Sequence, residues 1–169
     1  MIRLAHVFAC AGLCLGIGTN SSMAQEASPR QIRSCIAQSK GVYGFQCHGS
    51  AFNGTILEPV TFVGTVEGYR DGVFEGFGTF NSSNGSVSTH VKGPATFGNN
   101  CFGRVEYTTN EILLPGGGTI PLPPVFFDFA VVDGGKEILG TGVAPAGVLG
   151  DLVPRLTCRL VKIAGDKVH

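Results

Sequence analysis

The sequence predicts an all-β protein: an antiparallel up-and-down meander of about eight strands, closed or nearly closed into a barrel, with a two-sheet β-sandwich as the alternative. Three observations predict it. From Gly41 onward, apolar and polar residues alternate with period two through segment after segment. Turn chemistry separates those segments: Arg70-Asp71-Gly72, Asn84-Gly85, Gly98-Asn99-Asn100 and Asp133-Gly134-Gly135 all tolerate positive φ. The composition, with 26 glycines, 12 phenylalanines and no tryptophan, suits short strands joined by tight turns.

In chain order, residues 1–24 read as a signal peptide. Arg3 supplies the positive start, Leu4 to Ile17 an apolar run too short and glycine-rich to span a membrane, and Ser22-Met23-Ala24 a small-residue cleavage site before Gln25. A lipoprotein reading through Cys10 or Cys14 is weaker, because Cys14 follows Leu13 and Cys10 comes too early. Residues 25–40 are polar, with room for a turn or two of helix over Gln31 to Gln38, and form an N-terminal segment expected to plug the barrel bottom. The barrel domain is expected over 41–163, with 164–169 as a tail. Its strands are expected at Val42–Phe52, Val60–Tyr69, Val73–Phe80, Ser86–Phe97, Phe102–Asn110, Val125–Val132, Glu137–Gly142 and Arg155–Lys162. Pro94 implies a bulge or an edge in the fourth. The inward faces carry Tyr43, Phe45, Phe62, Phe74, Phe80, Phe97, Tyr107, Phe127 and Phe129, enough aromatic volume to fill an eight-stranded barrel.

Cys35, Cys47, Cys101 and Cys158 remain once the leader is removed, an even number in an exported chain, so disulfides are expected. In a closed meander the first and last strands are neighbours, and Cys47 and Cys158 lie mid-strand on their inward faces. Cys35 and Cys101 fall at the same barrel end. The favoured pairing is therefore Cys35–Cys101 with Cys47–Cys158; the rival, Cys35–Cys47 with Cys101–Cys158, stays open. A zinc site is not expected: there is no CxxC pair, and His48 adjoins Cys47 on a strand, where neighbours point to opposite faces.

Several blocks carry a resemblance: Cys35 followed by Gly41-Val42-Tyr43-Gly44-Phe45, then Gly76 to Phe80, Asn100-Cys101-Phe102-Gly103, and the run from Asp128 to Ile138 (DFAVVDGGKEI). Over nearly the whole mature chain these resemble a group of short secreted β-rich bacterial proteins without a known activity. Where this chain has Asn-Cys-Phe-Gly, many of that group have Asp-Cys-Thr-Gly. The resemblance implies class and compartment, and no catalytic residue.

The residues themselves name no catalytic, cofactor or metal site. His48 and His90 read outward, and His169 is the last residue. Glu67, Glu75 and Glu106 also read outward, with Lys92 and Arg104 as cross-strand partners. There is no G-x-S-x-G elbow, and Gly116-Gly117-Gly118 lacks the lysine and helix of a phosphate loop. Asn53, Asn81 and Asn84 begin glycan-acceptor triplets but read as turn residues. Twelve basic against twelve acidic residues leave no stripe for nucleic acid.

Two apolar loops remain. Glu111 to Pro124 and Val143 to Pro154 fall at one barrel mouth, and Ile112, Leu113, Leu114 and Ile120 with Val148, Leu149 and Leu152 form a candidate binding lip or a lid over the core. Three functions are consistent with this: a non-enzymatic barrel holding an apolar small molecule or protein partner at its mouth, a barrel enzyme of cyclase or isomerase type, or a structural envelope-associated protein. No cofactor, nucleic acid or membrane span is expected, and the oligomeric state is not legible.

Overall fold

The structure, a computed structural model, describes residues 27–52, 57–143 and 155–164. The expected signal peptide, and Val148, Leu149 and Leu152 of the expected lip, lie outside the described residues.

A helix α1 (Pro29–Ser39) precedes strands β1 (Gly41–Phe52), β2 (Leu57–Gly68), β3 (Val73–Ser82), β4 (Gly85–Phe97), β5 (Phe102–Tyr107), β6 (Thr109–Leu113), β7 (Thr119–Pro121), β8 (Val125–Val132), β9 (Glu137–Val143) and β10 (Arg155–Ala164). All pair antiparallel. Eight of them close a ring in the order β1-β2-β3-β4-β5-β8-β9-β10, sealed where β10 returns to β1 with Cys47 opposite Cys158. The fold is a closed up-and-down barrel with one extra hairpin, β6–β7. Closure removes the exposed edges an open sheet of this length would carry.

The hairpin departs from the expected topology. A strand over Phe102–Asn110 followed by a loop to Pro124 is replaced by two strands, β5 and β6, both laid along β4. Lys92 pairs with Thr109 and Ala95 with Val105, so two residues of β4 face three of the opposing chain. That extra residue is a bulge, at the position where Pro94 interrupts β4. Beyond it, Ile112 pairs with Ile120, and the expected loop becomes a hairpin turned at Gly117 and Gly118.

The helix is longer than the sequence reading allowed. Ser28 caps it: its Oγ accepts from the Gln31 backbone N–H, the Gln31 side chain accepts from the Ser28 N–H at 2.8 Å, and Pro29 opens the first turn. Its inner face sets Ile32, Cys35, Ile36 and Ser39 against the barrel bottom. Cys35 is bonded there to Cys101 in the turn after β4. Tyr43, wholly buried, donates its hydroxyl to the Gly135 carbonyl at 2.8 Å and towards that of Gln38 at 3.2 Å. Gly135 is required: its φ is +87°, and a Cβ there would lie 2.0 Å from the Gln38 oxygen.

The lower half of the barrel is filled. Phe129 meets Phe97 edge-on at 5.4 Å and Phe74 at 5.7 Å, with Val105, Val131 and Ile138 packed around them. The outer wall carries charge, with Arg104 paired to Asp128 and Arg159 to Glu137. Arg104 thus bonds an aspartate on β8, not one of the expected glutamates. Among the described residues no helix is long and apolar enough to cross a membrane.

Candidate functional site

Above the aromatic floor the packing opens into a cavity of about 120 Å³. Its lining comes from seven of the eight barrel strands. β1 supplies Phe45 and Cys47, β2 Phe62 and Val66, and β10 Leu156, Cys158 and Leu160. β4 gives Val91, β5 Tyr107, β8 Val125 to Phe127, and β9 Gly142.

The space exists because of how glycine is distributed on the inner faces. Around Gly78 of β3 the aromatic rings have moved in: a Cβ there would lie 2.6 Å from Phe62 and 2.8 Å from Phe45, whose own centroids are 4.7 Å apart. Gly142 of β9 has no such occupant. The nearest atom to its missing Cβ is Leu156 Cβ at 3.6 Å, an ordinary contact, so a side chain could start there, at the edge of the cavity, without a clash.

Chemically the cavity is almost featureless. Among the described residues no charged side chain lines it, and its two cysteines are bonded to each other. Tyr107, inward at the end of β5, brings the one hydroxyl among the described lining residues. That hydroxyl meets no hydrogen-bond partner among the described residues and is not sealed from open space. Burial raises the pKa of its phenol, so it remains protonated and a donor.

A second cluster lies on the outer wall. The His90 ring stacks on Phe77 at 4.5 Å. Its Nε2 is 2.9 Å from Glu75 Oε1 and its Nδ1 2.8 Å from Glu111 Oε1. Lys92 Nζ sits 3.1 Å from the other Glu75 oxygen, and the Tyr69 hydroxyl donates to it at 3.3 Å. His90 is on the outer face, as its alternation implies, yet it is half-buried and held at both nitrogens. No nucleophile adjoins it, and among the described residues no group of three or more side chains is placed to hold a metal.

No protein-family model matches the chain, and no curated protein matches it.

The four cysteines stand in the structure as Cys35–Cys101, at the barrel bottom, and Cys47–Cys158, in the cavity wall. Of the seven expected lip residues, Ile112, Leu113, Leu114 and Ile120 are described. Ile112 and Ile120 share the inner side of the hairpin, while Leu113 turns outward beside Ser88 and Val63, as alternation on a strand demands. Leu114 and Ile120 are exposed, at 42% and 46%, and none of the four lines the cavity. The residues that do line it read in the sequence as core. Only the unpartnered hydroxyl at Tyr107 sets one apart, and that needs its neighbours in space to be seen.

Proposed function

We propose that the protein is an exported, disulfide-stapled barrel that binds an apolar small molecule inside its upper half. The cavity carries this reading. Its lining is apolar on seven strands and it opens at one side, the arrangement of a small-molecule site. The apolar lining favours binding over catalysis, since acid–base or nucleophilic chemistry needs titratable groups converging on the substrate. Two disulfides and the leader-like residues 1–24 support an oxidising compartment outside the cytoplasm.

Ethylbenzene tests the reading. At about 100 times its dissociation constant it should add about 2.7 kcal/mol of stability, visible as a rise of several degrees in melting temperature. Gly142→Val, whose side chain would enter the cavity, should remain folded and lose that response. An unmoved melting temperature in the wild type would overturn the proposal.

A further inference from the structure

We infer that the ligand is a neutral molecule of about one ring with a single hydrogen-bond acceptor, a ketone, aldehyde or ether oxygen, that accepts a hydrogen bond from the Tyr107 hydroxyl. This rests on the cavity being a binding site, and it adds the chemical class of what binds.

The other inward polar side chains of the barrel show what Tyr107 lacks. Tyr43 donates to Gly135 and Gln38, Thr89 Oγ1 to the Gly78 carbonyl at 3.4 Å, and Asn110 Nδ2 to the Pro123 carbonyl at 2.8 Å. Each is satisfied within the chain. Tyr107 is inward too and has no such partner among the described residues. The Tyr107 hydroxyl keeps open space beside it, a polar atom that phenylalanine in the same place would not bring. The chain uses phenylalanine at Phe45, Phe62 and Phe127 around the same space. A hydroxyl kept where a phenylalanine would pack, facing an otherwise apolar chamber, marks the place where something outside the chain completes the bond.

The chemistry of the partner follows. Tyr107 stays protonated, so it donates, and the complementary atom is an acceptor. Among the described residues no cation lines the cavity to balance a carboxylate and no anion to balance an amine, so the lining favours a neutral ligand. Size sets the last limit. Apolar cavities of about 150 Å³ accept benzene, and 120 Å³ is close to that.

Acetophenone and ethylbenzene differ by the acceptor and little else. Calorimetric titration of both into the mature protein and into Tyr107→Phe separates the possibilities. The wild type should bind acetophenone more tightly than ethylbenzene. Tyr107→Phe should weaken acetophenone about tenfold, equivalent to about 1.4 kcal/mol, and leave ethylbenzene within twofold. A second measurement needs no variant: with tyrosine labelled at Cζ, the Tyr107 carbon resonance should move with acetophenone, and hardly with ethylbenzene, while that of Tyr43 stays put. Equal binding of both probes by both proteins, or equal shifts of the Tyr107 resonance, would overturn the inference and leave the cavity reading intact. Failure of the wild type to bind either probe would overturn the cavity reading itself.

Discussion

A histidine whose two ring nitrogens both face carboxylates can satisfy both only as the imidazolium. That is the position of His90. Burial works against its charge, but the hydrogen bonds to Glu111 and Glu75 outweigh it and the net shift is upward. Glu75 and Glu111 shift down, each chiefly through the bond to His90. The His90 contribution is therefore whole below its unfolded-state value, about 6.5, and is lost as pH rises through the raised folded value. The carboxylates contribute fully above about 4.5 and lose their part as pH falls through the lowered folded values. Together they support the wall best between about pH 4.5 and 6.5. Thermal melts of His90→Gln should accordingly fall further below wild type at pH 5.5 than at pH 8.5; equal deficits would mean that the ring stays neutral. Little of this was legible in the sequence. Alternation placed Glu75 and His90 on one outward face, but Glu111 reads there as the start of a loop, and a loop residue gives no reason to expect a third partner. Tyr107 was hidden for another reason: an inward tyrosine reads as core until its hydroxyl is seen to lack a partner.

Elements bounded by strong punctuation were read best. The strand over Val125–Val132 follows two prolines, ends at Asp133-Gly134-Gly135, and forms as expected. The run Ile120-Pro121-Leu122-Pro123-Pro124 reads as a loop because proline donates nothing to a ladder. Its first two residues nonetheless complete the strand Thr119–Pro121, held by the bulge that steers the chain along β4. Helix α1 was shortened in the sequence reading because its cap, Ser28-Pro29-Arg30-Gln31, precedes any apolar repeat. The helix touches the barrel through one narrow face and is tied there by Cys35–Cys101. Replacing both cysteines with serine should speed amide exchange throughout α1 while the barrel strands keep their protection, since only the helix depends on that bond. Exchange accelerating equally in both would show that the plug and barrel open as one unit.

At the scale of the molecule, parity governs. In a meander, odd and even turns fall at opposite ends, so the sequence order of Cys35 and Cys101 and the inward phase of Cys47 and Cys158 suffice to suggest their pairing. The cavity was not legible in this way, because it depends on which inner glycines the aromatic rings cover. The Cys47–Cys158 bond spans 111 residues, a loop for which chain entropy gives about 4–5 kcal/mol of stabilisation. Replacing both cysteines with alanine should lower the unfolding free energy from urea titration by an amount near that figure; an unchanged free energy would show that β1 and β10 hold without it. The same closure has a consequence in time. No wall of the barrel is complete until β10, the last strand, has been made and has travelled back to the first, so a growing chain carries two unsatisfied edges at every earlier moment. Its decisive contacts are among the longest-range it has, and contacts of that kind form slowly. Under the proposed export, slowness of this sort would be useful: a chain crossing a membrane as a thread would stay unfolded during delivery and lock on arrival, where an oxidant can stitch the first strand to the last.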